Sequence, residues 1–244
     1  MSRKIVIGHL YPALLNLYGD SGNIASLTKR CEWRGIEAEV RTYDVGDEID
    51  FEQLDIILLG GGSEREEKLV CEALKAQKMK LKTYIEESGV LLAVCGGYQM
   101  LGISYETADE TVEGLGLLDI RAIYDKERLM GNAVVKSELA DMPLVGFENH
   151  NGRMQIGSYQ ALGQVVSGKG NDGESGTEGV VYKNTIGTYL YGPFLPKNPQ
   201  LCDWLLHKAL EKKYGAFELE TLDDTMEKEA NAYMVKRFGQ KENN

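Results

Sequence analysis

The run Val90-Leu91-Leu92-Ala93-Val94 ends on Cys95, Gly96 and Gly97 follow at once, and then comes a segment of helical composition, Tyr98-Gln99-Met100-Leu101. An unbroken apolar run suits a strand buried on both faces. A double glycine directly after a cysteine suits a sharp turn from strand into helix. A nucleophile at such an elbow sits in a strained backbone conformation, so the residues two before and two after it must be small. Here they are Ala93 and Gly97. The new helix aims free N–H groups and the positive end of its dipole at the sulfur, which favours thiolate over thiol. The competing reading is an inert cysteine at the end of a core strand. The double glycine and the small flank favour a nucleophile.

The chain on either side supplies strands and helices in alternation. Lys4 to Leu10 reads as a first buried strand, and Tyr11 to Asn23 as a loop in which Asp20 or Ser21 caps a helix running to about Trp33. Glu37 to Tyr43 alternates like an edge-side strand. Leu54 to Leu59 is continuously apolar and empties into Gly60-Gly61-Gly62-Ser63. Glu64 to Glu87 reads as one long amphipathic helix with Leu69, Ala73, Leu74, Leu81, Tyr84 and Ile85 inward. This rhythm predicts an α/β fold with a mostly parallel central sheet flanked by helices. Beyond Gly102, short strands are expected at Leu115–Ile120, Ala133–Val135, Leu144–Phe147 and Gly179–Tyr182, with another ending at Gly192-Pro193. Ser167 to Gly179 holds five glycines in thirteen residues and reads as a mobile surface loop. Asn198 to Tyr214 reads as a helix. Leu219 to Phe238 reads as a charged helix with a thin apolar stripe of Leu222, Met226 and Tyr233.

A net charge of −11 argues against nucleic acid and anionic membrane surfaces as partners. No apolar run approaches membrane-spanning length, so direct membrane insertion is not expected. Cys31, Cys71, Cys95 and Cys202 form no C-x-x-C pair, and no signal peptide is visible, which together point to a cytoplasmic protein with reduced thiols. The three histidines, His9, His150 and His207, are widely separated, so no metal site is expected. The chain shows no G-x-x-x-x-G-K-[ST] loop for ATP.

Two glycine turns, Gly60–Gly62 and Gly96-Gly97, fall at the C-terminal ends of predicted parallel strands, where open α/β sheets bind ligands. A thiolate attacking an amide carbonyl generates an oxyanion. The backbone N–H groups of Gly61 or Gly62, with that of Gly96, are the candidate donors for it.

Leu58-Leu59-Gly60-Gly61-Gly62, followed some thirty residues on by Val94-Cys95-Gly96-Gly97-Tyr98-Gln99, resembles the class I (triad) glutamine amidotransferases of flavodoxin-like fold, in particular their cobyric acid synthase-like branch. Leu10-Tyr11-Pro12, Leu15-Asn16-Leu17-Tyr18-Gly19-Asp20, Gly146–Arg153, Gly168–Asn171 and Gly187–Pro193 narrow the resemblance to the GatD-type subunits of lipid II isoglutaminyl synthase. It spans about residues 5–200. The resemblance implies a glutamine amidotransferase domain over residues 1–215, with residues 216–244 as a charged C-terminal helix and tail. It implies a glutaminase subunit with Cys95 as nucleophile, forming a γ-glutamyl thioester with L-glutamine. Arg128 would bind the glutamine, as a guanidinium suits an α-carboxylate, and Gln99 would lie in the same subsite. No cofactor is implied for this chain. ATP and Mg are implied on a Mur ligase-like MurT partner in a heterodimer, which would use the ammonia to amidate the D-glutamate α-carboxyl of the lipid II stem peptide in peptidoglycan biosynthesis.

One position departs from that pattern. The family's catalytic histidine falls in Gly-Thr-Tyr-Leu-His-Gly-Pro, and this chain has Tyr191 there. A phenol is a poor base at neutral pH, although it can donate a hydrogen bond. Pro193 stands where many triads keep a glutamate, and GatD-like chains are held to take that acid from the partner. Three readings stay open: a variant that traps bound glutamine or its thioester, a weak glutaminase kept as a scaffold or ammonia conduit, or a second histidine reaching the site. For the last, His150 beside Asn149 is the candidate pocket residue, against a structural, hydrogen-bonded role. Turnover is expected to be impaired. A different cysteine hydrolase, a non-enzymatic partner subunit and a cobalamin-pathway amidotransferase are the competing classes.

Overall fold

The computed structural model describes residues 3–216 and 218–239. Its first sheet runs in the order β11-β12-β4-β3-β1-β2, built from β1 (Lys4–Leu10), β2 (Glu37–Tyr43), β3 (Ile56–Leu59), β4 (Val90–Val94), β11 (Val180–Tyr182) and β12 (Thr185–Thr188). All pairings are parallel except the β11–β12 edge hairpin. The α/β architecture expected above is therefore present, for a reason visible in the strands. Successive side chains point to opposite faces. Ile5, Ile7, Ile56, Leu58, Val90, Leu92 and Val94 meet one helical layer, α1 (Ser21–Glu32) and α5 (Pro199–Tyr214). Leu10, Ile57, Leu59, Leu91 and Ala93 meet the other, α2 (Glu64–Lys75) and α3 (Lys78–Glu86).

The expected single helix over Glu64–Glu87 is two. Gln77 interrupts it because its side chain is used elsewhere, accepting from the Ile49 N–H at 2.8 Å and donating to the Asp47 carbonyl at 3.0 Å. The buried face runs through Glu67, Val70, Cys71, Leu74, Leu81, Tyr84 and Ile85, and Leu69, off that face, is half exposed at 50%. Leu115–Ile120 is no strand. Its N–H groups instead bond to the carbonyls of Met100, Leu101 and Gly102, satisfying the C-terminal end of α4 (Gly96–Met100). Asp20 stands at the N-cap position of α1 but makes no side-chain cap there.

A second sheet, mostly antiparallel, has the order β10-β9-β7-β5-β6, with β8 also pairing β7. Its strands are β5 (Ser104–Glu106), β6 (Thr111–Glu113), β7 (Arg121–Lys136), β8 (Leu144–Gln155), β9 (Gly163–Ser167) and β10 (Thr177–Glu178). The short strands expected at Ala133–Val135 and Leu144–Phe147 are thus parts of one long hairpin. Its register shifts between Tyr124 and Leu129. The two sheets are linked where Phe147 and Tyr191 exchange backbone hydrogen bonds of 3.0 and 3.2 Å.

The glycine-rich stretch 167–179 is exposed at Gly168, Lys169 and residues 173–176, as a surface loop would be, but the rest of it turns inward. Its five glycines all take positive φ, folding the chain back so that Asn171 and Glu178 are fully buried. Helix α6 (Thr225–Phe238) is held by polar contacts, not by the expected stripe. Met226 and Tyr233 are exposed, while buried Asn231 donates to the Pro143 and Lys197 carbonyls. The tail beyond residue 239 lies outside the described residues. Among the described residues, no helix is long and apolar enough to cross a membrane, and no cluster of three or more His, Cys, Asp and Glu side chains could hold a metal ion.

Candidate active site

Strands β1, β3 and β4 all deliver their C-terminal ends to one edge of the first sheet, and Cys95 emerges there directly after Val94. Its backbone has φ 53° and ψ −111°, outside the regions favoured for a residue with a side chain. The Cys95 N–H is fixed on the Thr188 carbonyl at 2.9 Å. Gly97 has no room for a side chain, because a Cβ there would overlap the Leu59 carbonyl. A rigid sheet thus holds one cysteine in a strained turn, a feature that clusters at working sites.

The sulfur belongs to a cavity of about 180 Å³ whose lining includes Tyr18, Gly62, Glu67, Gln99, Arg128, Asn149 and His150. The hairpin supplies the far wall. Arg128 lies on the β7 irregularity and donates to Asn149 Oδ1 at 2.7 Å. Asn149 in turn hydrogen-bonds the Tyr191 hydroxyl. Tyr191 is 8% exposed, with its ring 4.5 Å from that of Tyr18 and 5.8 Å from that of Phe147. Burial raises its phenol pKa against the pull of Asn149. Gln99 Nε2 donates to the Tyr189 hydroxyl at 3.1 Å.

His150 stacks on Tyr189 at 3.7 Å, pairs through Nδ1 with the Gly152 carbonyl at 2.7 Å, and leaves Nε2 buried without a partner. Burial pushes its pKa down to about 4, so the ring is neutral at neutral pH. His9 is likewise buried and pushed down to about 4, and His207 lies on α5 near Glu211.

The electrostatics differ from the sequence expectation. Helix α4 has only five residues, too few for much of a dipole. Burial, then the Glu67 and Asp20 carboxylates, push the Cys95 thiol well above its ordinary value, while the Gly96 N–H and a Tyr18 hydrogen bond pull the other way. The glycine amides are also occupied. The Gly61 N–H donates to Asp20 Oδ2 and the Gly62 N–H to Glu67 Oε1, each at 3.3 Å. Asp20 and Glu67 are not among the site residues that the sequence points to. The available signal for Glu67 is its spacing from Val70, Cys71 and Leu74, which puts it on the buried face of α2.

A buried thiol, an arginine–amide pair and a set of glycine amides around one small cavity suit covalent chemistry on a compact polar substrate. The sequence profile of the CobB/CobQ-like glutamine amidotransferase domain matches residues 6–199. A Staphylococcus aureus (strain N315) protein named lipid II isoglutaminyl synthase (glutamine-hydrolyzing) subunit GatD is 42% identical over 235 residues, covering 96% of each chain. Its namesake from Streptococcus pneumoniae (strain ATCC BAA-255 / R6) is 39% identical over 230 residues, covering 93% of this chain and 88% of that one. A crystal structure described as glutamine amidotransferase superposes with a TM-score of 0.53 at 16% identity, covering 83% of this chain and 98% of its own, a likeness of fold. With the profile matched over most of its length, this chain belongs to the CobB/CobQ-like glutamine amidotransferase family.

Proposed function

We propose that this chain is the glutamine-hydrolysing subunit of a two-subunit amidotransferase that amidates the D-glutamate α-carboxyl of the lipid II stem peptide. Its partner is a Mur ligase-like MurT subunit that supplies the ATP and Mg chemistry. The observation that carries the reading is the strained Cys95 opening on a cavity walled by the Arg128–Asn149 pair. The lipid II assignment is drawn from relatives similar over nearly the whole chain.

In this reading Arg128 holds the glutamine α-carboxylate by charge-assisted hydrogen bonds, and Gln99 orients the bound amino acid. Cys95 Sγ attacks the side-chain carboxamide carbon. The oxyanion takes its hydrogen bonds from the Gly96 N–H and from Gly61 or Gly62, whose carboxylate partners must yield. The C–N bond breaks with its electron pair on nitrogen, ammonia leaves for the partner, and water cleaves the γ-glutamyl thioester to glutamate. Each half needs a proton moved. Tyr191, with its raised phenol pKa, donates but does not abstract, so turnover is slow.

Glutamate release should therefore be small from the chain alone or with its partner. Tyr191→His with the partner should raise it on the order of 100-fold or more, the usual scale of general acid–base catalysis. No glutamate from either version with the partner present would refute the glutaminase reading and leave a scaffold subunit.

A further inference from the structure

The cavity contains an acid that takes no part in the steps at Cys95, Arg128 and Tyr191. Glu67 is 6% exposed and sits on the buried face of α2 with Val70, Cys71 and Leu74. Its carboxyl fills the space beside Gly96, where any Cβ would collide with it, so it rests against the residue that follows the nucleophile. Oε1 accepts from the Gly62 N–H at 3.3 Å, and the side chain lines the same cavity as Cys95. Among the described residues no cation is ion-paired with it, although Arg128 lines the same cavity. Its charged neighbours on its own helix are Glu64, Arg65, Glu66 and Lys68, while Cys95, Tyr18, Tyr105, His150 and Arg128 line the same cavity from the other elements. A carboxyl this buried, held by one backbone N–H beside a thiol, is a costly arrangement for packing alone.

We propose that Glu67 is the proton relay of the Cys95 site: its carboxylate takes the thiol proton as sulfur attacks the carboxamide carbon, and gives it to the nitrogen as the C–N bond breaks. The inference rests on the glutaminase reading and adds to it the group that moves the proton. The balance closes without an outside reactant. An S–H and a C–N bond break, an S–C and an N–H bond form, the C–N electron pair leaves on nitrogen, and Glu67 ends as it began. Burial pushes Glu67 up to about 7, where a carboxyl can both accept and return a proton at neutral pH. The other candidates are worse placed. His150 is held near 4 and has Nδ1 committed to Gly152. Asp20 is turned to the Gly61 N–H and does not line the cavity.

The test compares Glu67→Gln in the Tyr191 chain and in the Tyr191→His chain, each with its partner subunit, by glutamate release against pH and by the rate at which iodoacetamide alkylates Cys95. In the Tyr191 chain E67Q should cut release by about tenfold or more and remove the rise in rate through pH about 7. In the Tyr191→His chain the loss should be under about threefold, because the imidazole supplies the relay. Alkylation should become faster in both, since removing the carboxylate's charge lowers the thiol pKa. A merely structural role would slow alkylation and release together. Release from the Tyr191 chain that E67Q leaves unchanged, or that falls equally in both backgrounds, overturns the relay. So does a Tyr191 chain that releases none while the histidine version does. No release from either background overturns the glutaminase reading, and the relay with it.

Discussion

Arg128 reaches the cavity from an irregularity in β7, and its guanidinium donates to Asn149 Oδ1 at 2.7 Å. A guanidinium tethered to a neutral amide keeps its charge available for a ligand, unlike the surface cations of this chain that sit on carboxylates. If it holds the substrate α-carboxylate, the interaction is made equally in ground and transition states. Its loss then appears in KM and not in kcat. Arg128→Ala in the Tyr191→His chain should raise the KM for glutamine by about tenfold or more, the worth of a charge-assisted hydrogen bond, with kcat changed by less than about threefold. Arg128→Lys should recover only part of this, because an ammonium cannot present the paired donors. A variant that loses kcat at unchanged KM would remove Arg128 from substrate binding and place it in the chemistry instead.

Helix α6 shows what anchors an element whose apolar face is thin. Arg30 on α1, almost fully buried, bonds Asp203 on α5 at 2.6 Å and Asp224, at the start of α6, at 2.7 Å. Farther along, Asn231 ties the helix to the Pro143 and Lys197 carbonyls, and Lys197 Nζ in turn donates to the Tyr191 carbonyl at 3.3 Å. Asn231→Ala leaves two part-buried carbonyls without that donor and should destabilise the protein by about 1–1.5 kcal/mol. Met226→Ala, at an 80% exposed position, should stay within about 0.5 kcal/mol. Urea midpoints of the two variants decide between polar and apolar anchoring, and a larger loss for Met226 would restore the stripe reading. The contrast marks where the sequence is legible. Continuous apolar runs gave β1, β3 and β4 with their order along the chain, and the cysteine elbow was plain because strand, nucleophile and glycines are contiguous. Gln77, Leu115–Ile120 and Asn231 were not legible, since each takes its conformation from a hydrogen-bond partner remote in sequence. Glu67 was hidden in the run Glu64-Arg65-Glu66-Glu67, where three of the four residues are solvated and only the helical phase separates the one that is not.

Across the whole molecule, the titrating groups that matter near neutrality are buried acids, and they oppose stability as they ionise. Burial pushes Asp20 up to about 6 and Glu67 and Glu178 up to about 7, and it raises Glu148 despite donations from the Lys169 and Gly170 N–H groups. Between the unfolded carboxylate pKa near 4 and these folded values, the native state holds protons that the unfolded chain has lost, so stability falls as pH rises through that window. His9 and His150 act the other way. Depressed to about 4, they stay neutral in the native state while the unfolded chain protonates below about 6.5, so they add stability as pH rises from 4 to 6.5. Four acids against two histidines leave a net decline that is partly offset below 6.5 and unopposed above it. The melting temperature should therefore be highest near pH 4–5 and fall toward pH 8. Glu178 offers the clearest check because it does not itself line the cavity. Oε1 accepts from Thr188 Oγ1 and the Tyr189 N–H, while Oε2 is buried with no partner. Glu178→Gln keeps the accepting oxygen and removes the ionisation, which costs on the order of 3 kcal/mol at pH 8 for a shift of this size. Its unfolding free energy should depend less on pH between 5 and 8 than that of the unmodified protein. An unchanged slope would mean that Glu178 ionises in the fold as easily as in the unfolded chain, through water reaching Oε2.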